Sequence, residues 1–197
     1  MRYLGVFLIV FMVAIASLPS LAEPANAIKP KDFAITAYGG QMTDNDWLDP
    51  FSSESIELRD SWLIALAGSK EIGRFFDHLA IEIEGQAVRH FGGQDNWEFN
   101  APIVFRWEKF PWDKYVDTSI AYGIGPSYAT EIPSEEVARE GDSERWLVYW
   151  MVEIEFGLPS IQDWSAVARL HHRSEAWGVV ADKGGSNILA IGLKHRF

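Results

Sequence analysis

Arg145-Trp146-Leu147-Val148-Tyr149-Trp150-Met151-Val152-Glu153-Ile154-Glu155-Phe156 changes character at every second residue over most of its length. Trp146, Val148, Trp150, Val152, Ile154 and Phe156 share one parity and are all apolar, whereas the other parity runs into Glu153 and Glu155. Successive side chains of an extended chain point to opposite faces, so this spacing predicts a strand with one greasy face and one mixed face. A helix would scatter the same residues around its circumference. The run is also longer than the five or six residues usual in a soluble strand, and it suits a tilted membrane crossing of about 9–11 residues.

The same rhythm recurs before and after it. Trp97, Phe99, Ala101, Ile103, Phe105 and Trp107 alternate with Glu98, Asn100, Pro102, Val104 and Arg106, and Leu79, Ile81, Ile83, Gly85 and Ala87 alternate with Glu82, Glu84 and Gln86. With the weaker runs, eight strands are expected, at about 32–39, 55–67, 78–91, 96–108, 118–129, 145–156, 163–174 and 187–197. The expected fold class is all-β, an eight-stranded antiparallel outer-membrane β-barrel with its apolar parity toward lipid. Glu82, Glu84, Glu153 and Glu155 would then face the lumen, where Arg106, Arg169, Arg173, Lys194 and Arg196 are available to pair with them. Eight strands leave an interior filled by side chains, which argues against a wide solute pore. The last run, Asn187 to Phe197, alternates and ends on an aromatic residue. It resembles the terminal strand of bacterial outer-membrane proteins, which implies handling by the outer-membrane assembly machinery.

The connections 40–54, 92–95, 130–144 and 175–186 fall at one end of such a barrel, and 68–77, 109–117 and 157–162 at the other. The long polar segments belong to the first set, the external side. Trp107, Trp112, Trp146 and Trp164 lie near strand ends, where aromatic girdles form. Residues 1–27 have the plan of a cleaved signal peptide: Arg2, an apolar run from Tyr3 to Ala16, and small residues at Ser20-Leu21-Ala22 and Ala25-Asn26-Ala27. Residues 28–197 then form the barrel domain, exported and integral to the bacterial outer membrane.

Composition excludes several function classes. The chain has 197 residues, with 17 Lys and Arg against 28 Asp and Glu, a formal charge of −11. That balance argues against a nucleic-acid partner held by phosphate neutralisation. Hydrophobic residues make up 48%, too many for a disordered chain. Cysteine is absent, which rules out disulfides, thiolate-bound zinc and thiol nucleophiles. The acidic stretches Glu131–Asp142 and Asp44-Asn45-Asp46 lack the ligand spacing of a calcium loop, and no phosphate-binding loop is present. Neither a metal nor a cofactor is expected.

Reactive side chains are densest at His171-His172-Arg173-Ser174-Glu175. His172 and Ser174 share the lipid-facing parity with Trp164, Ala166, Ala168 and Leu170, and His171 and Arg173 take the luminal one. A neutral imidazole beside a hydroxyl can act as general base and make the serine a nucleophile for ester cleavage. An acyl chain embedded in the outer leaflet would lie beside this face.

His172-Arg173-Ser174, near the C-terminus of an eight-stranded, exported, cysteine-free chain, resembles the PagL-type lipid A 3-O-deacylases. The resemblance implies a deacylase acting on lipid A or lipopolysaccharide of the outer leaflet, with His172 as base and Ser174 as nucleophile. That family carries a Glu about a dozen residues later as third member. Here Gly184-Gly185-Ser186-Asn187 stands in that region, with Ser186 nearest in register, and the family's Asn after the nucleophile is Glu175. The third member is therefore left between Glu175, Asp182 and none, and Arg173 and Asn187 are candidate substrate-binding residues. The alternative is a non-catalytic barrel, structural or lipopolysaccharide-binding, whose His-Arg-Ser cluster grips phosphate.

Overall fold

The computed structural model describes residues 31–45, 56–161 and 163–197. The leader assigned to residues 1–27 and most of the first external connection lie outside the described residues. The strands are β1 (Phe33–Thr43), β2 (Leu58–Phe75), β3 (Leu79–Gly92), β4 (Trp97–Asn100), β5 (Ile103–Trp107), β6 (Asp117–Ala129), β7 (Trp146–Gly157), β8 (Trp164–Ser174) and β9 (Gly185–Arg196). One short helix, α1 (Ser134–Glu140), lies between β6 and β7.

Every neighbouring pair is antiparallel, and β1 pairs with both β2 and β9, so the sheet closes on itself. β4 and β5 both pair with β3 and β6 and together make one rung of the ring, which gives eight barrel strands. The break between them is Ala101-Pro102. Proline has no N–H to give to a ladder. Pairing crosses the break through Glu84 N–H to the Pro102 carbonyl at 3.0 Å and Ala101 N–H to the Pro126 carbonyl at 3.1 Å.

Closure leaves no unpaired strand edge in hydrocarbon. The outward parity is apolar and bare in the isolated molecule: Ile64 is 57% exposed and Leu66 58%, while luminal Arg106 and Glu153 are fully buried. That inversion of the usual rule places lipid outside and polar groups within.

The lumen holds a connected ion-pair network. Arg106 donates to Glu82 at 2.7 Å, Glu153 at 3.0 Å and Glu155 at 3.0 Å. Arg169 donates to Glu84 at 2.8 Å and Glu153 at 2.6 Å, and Lys194 bridges Glu153 and Glu155. Arg196 also binds Glu155. Toward the external half, Tyr38, Met42, Leu63, Val88 and Ile188 form an apolar cluster on the wall of β1, β2, β3 and β9. The interior is thus filled by side chains of both kinds.

Two segments depart from the sequence expectation. β2 runs on to Phe75, although 68–77 reads as a connection. Lys70, Glu71 and Arg74 interrupt the alternation there, yet Gly68 to Phe75 pairs with β3 through a register shift between Glu71 and Gly73. The turn left over is tight and needs positive φ at Phe76 (53°) and Asp77 (58°). The other departure is α1, within the long polar connection 130–144, where the sequence reading placed no helix. It ends on Gly141 in the left-handed conformation (φ 83°), whose N–H closes on the Val137 carbonyl. Its Glu136 is buried and plugs the external end of the lumen.

Candidate functional site

Strand β8 has two faces with different chemistry. Ser165, Val167, Arg169, His171 and Arg173 point into the lumen and are buried. Trp164, Ala166 and Ala168 are exposed on the outer wall, and Leu170, His172 and Ser174 continue that parity toward the external end. The expected split of the His-His-Arg-Ser cluster between the two faces is what the strand shows.

His172 belongs to the outward parity but is only 8% exposed, because its neighbours on adjacent strands cover it. Trp150 of β7 lies directly across, with ring centroids 4.3 Å apart. On the other side Asn187 of β9 is its register partner, and His172 Nδ1 lies 2.5 Å from Asn187 Oδ1. An amide oxygen can only accept, so the imidazole donates from Nδ1. Asn187 Nδ2 donates in turn to the Asn45 carbonyl at 2.9 Å.

Ser174 sits two residues further, opposite Val148 of β7 and Gly185 of β9. Its hydroxyl donates to Glu175 Oε2 at 3.3 Å and accepts from the Ala176 N–H at 3.1 Å. The structure therefore brings Asn187 to His172 and Glu175 to Ser174; the hydroxyl is not turned onto the imidazole. Asp182 is exposed on the loop after Ser174 and, among the described residues, binds neither side chain. That loop carries Trp177 and Val179, 76% and 82% exposed, directly beyond the serine.

The candidate substrate-binding residues are committed within the protein. Arg173 is 1% exposed in the lumen, and its partner is not one of the four expected carboxylates but Glu136 of α1, at 2.9 Å. It also donates to Ser127 and to the carbonyls of Glu144 and Arg145. Both polar ends of the Asn187 amide are engaged, as described. Glu136 further accepts from Ser143 and Ser186, and Glu135 pairs with Arg59 of β2 at 2.6 Å, so two carboxylates of α1 anchor it at the barrel mouth.

A second histidine cluster escapes sequence reading. Glu98 of β4 accepts from His171 Nε2 at 2.9 Å and His90 Nε2 at 2.8 Å, and Tyr38 bridges His171 and Gln86. The residues come from four strands, and only the closed ring brings them together. Their shared luminal parity was the only available signal.

Two solved structures can be set beside this barrel. The outer-membrane enzyme PagL matches with a TM-score of 0.59 at 13% identity, over 83% of this chain and 99% of that one. Neisserial surface protein A matches with a TM-score of 0.50 at 8% identity, over 84% of this chain and 97% of that one. The protein is an integral outer-membrane β-barrel. Comparison of the sequence with protein-family models and with curated proteins finds no match. At these identities the structural likeness establishes the fold alone.

Proposed function

We propose that this barrel hydrolyses an acyl ester of lipid A in the outer leaflet, with Ser174 as nucleophile and His172 as general base. The observation that carries the reading is the placement of His172 and Ser174 on the outward parity of β8, at its external end, with Nδ1 of the imidazole already committed. Nε2 is then the basic nitrogen.

One rotation about the Ser174 Cα–Cβ bond moves its hydroxyl between staggered positions, and catalytic hydrogen bonds often align only when substrate is bound. Nε2 then takes the hydroxyl proton as Oγ attacks the ester carbonyl. Collapse of the tetrahedral adduct expels the sugar alcohol, which recovers that proton, and leaves an acyl-serine. Water, deprotonated by the same nitrogen, releases the fatty acid and restores the hydroxyl.

The surroundings suit an acyl substrate. Below His172 the wall of β8 continues as Leu170, Ala168 and Ala166, flanked by Val152, Ile154 and Phe156 on β7 and by Leu189, Ile191 and Leu193 on β9. Ala168 and Ala166 are small beside these larger neighbours. Above it, Trp177 and Val179 extend the apolar surface to the interface.

Ser174→Ala is expected to leave the barrel folded while lipid A keeps its full acyl complement by mass spectrometry. Removal of one member of such a pair typically costs several powers of ten in rate. Deacylation that continues unchanged in that variant would eliminate the reading. The Ser174–Glu175 hydrogen bond favours a second one, a non-catalytic barrel in which the serine only fastens the β8–β9 loop. It expects no change of lipid A mass when the wild-type chain is expressed.

A further inference from the structure

We infer that Asn187 is the positioning residue of the His172 base, taking the place of an acidic third member, and that the Asn45 carbonyl at the root of the first external connection sets which way its amide faces. The inference rests on the proposed Ser174–His172 hydrolysis.

A carboxylate beside an imidazole can only accept, so it fixes the ring tautomer without further help. An amide is ambiguous: its NH2 turned to the ring would put the ring proton on Nε2 and leave no lone pair for the serine. The environment must remove that ambiguity. A carbonyl oxygen cannot donate, so Asn45, 2.9 Å from Nδ2, takes the NH2 end and leaves Oδ1 for His172.

Asn45 is itself held at both sides of its loop. Its Oδ1 accepts from Thr43 Oγ1 and from the Glu57 N–H, each at 2.6 Å, and its own N–H donates to Thr43 Oγ1 at 3.1 Å. Thr43, the last residue of β1, is fully buried, and Asn187 is 1% exposed. The order therefore passes from the end of β1 to the Asn45 carbonyl, to the Asn187 amide and to the imidazole, with the Trp150 ring packed at a tilt against it from β7. Neither ring nor amide is free to turn over, and Nε2 keeps the lone pair.

The closing experiment uses the full barrel, refolded in detergent and checked by its heat-modifiable gel mobility, with lipid A as substrate. Asn187→Leu, of similar bulk but without polar atoms, is expected to lower kcat about a hundredfold with KM nearly unchanged, the scale of a misdirected general base. Asn187→Asp restores an acceptor for Nδ1 and is expected to return most of that loss. A purely structural role predicts instead that both variants follow folding stability and that kcat and KM change together. Nitrogen NMR of the wild-type imidazole gives a readout independent of any variant: Nδ1 should carry the proton and Nε2 should not. A proton on Nε2 of His172, or full kcat in Asn187→Leu, overturns the inference. If Asn187→Leu does not fold, the wild-type spectrum decides. A wild-type chain without hydrolysis, or an active Ser174→Ala, sinks the underlying reading instead and is read in separate samples.

Discussion

The two faces of β8 carry the same kinds of side chain and use them differently. On the luminal face Arg169 and Arg173 end on buried carboxylates, and His171 donates to Glu98. On the outward face His172 meets a neutral amide and an indole, and Ser174 holds a long hydrogen bond to Glu175, a half-buried residue of the loop that follows. Buried charges without partners are costly, so the luminal groups are bound up in supporting one another. The outward pair has no such debt, and it retains a basic nitrogen and a rotatable hydroxyl. Adjacent histidines of one strand thus differ: His171 is tied into the luminal network, whereas His172 on the other side of the wall is held through Nδ1 alone.

The largest contrast is expected at Arg106, which touches Glu82, Glu153 and Glu155 at once. Arg106→Met removes the cation and leaves three buried carboxylates short of a partner. Breaking one side of a buried pair costs about 3–5 kcal/mol. The urea midpoint in detergent should fall accordingly, while the rate of the proposed deacylation, per folded molecule, should not. A loss of rate per folded molecule would mean that the lumen reaches the outer-wall site, and the division between the faces would fail.

Glu136→Gln tests a smaller element of the same network. Arg173 would keep Ser127 and two backbone carbonyls, so its guanidinium stays partly satisfied. Loss of the charge from a buried hydrogen-bonded pair is worth about 1–3 kcal/mol. The effect should concentrate on α1, seen as faster proteolysis of 130–145 in an otherwise intact barrel. Uniform destabilisation would show instead that α1 is part of the barrel's cooperative unit.

The sequence carried the strands wherever one parity was apolar and the other was not, as in Trp146–Gly157 and Leu79–Gly92. It also carried the luminal acid–base pairing and the outward parity of His172 and Ser174, because each follows from period two alone. It did not carry the tail of β2, where charged residues at the periplasmic end no longer need to alternate and pairing with β3 sets the strand instead. Nor could it connect His172 with Asn187, or Arg173 with Glu136. Those contacts depend on interstrand register and on a helix folded back over the mouth, and a single strand's pattern records neither. Asn187 is two residues from the Gly185 that faces Ser174, and only the β8–β9 register sets its amide opposite His172.

The smallest effect is expected on the outward face, at Trp150. Replacing it with leucine keeps the wall apolar, so insertion into the membrane and the urea midpoint should be nearly unchanged. What is lost is the ring lying 4.3 Å from the His172 imidazole. Aromatic pairs of this kind are worth about 0.5–1.5 kcal/mol beyond their buried area. If that contact serves to hold the base in line, the loss should appear in kcat, as a decrease of up to roughly tenfold. KM should hold, since the apolar wall at Leu170, Ala168 and Ala166 is untouched. A change confined to KM would assign Trp150 to the substrate rather than to the base, and would leave Asn187 as the imidazole's sole support.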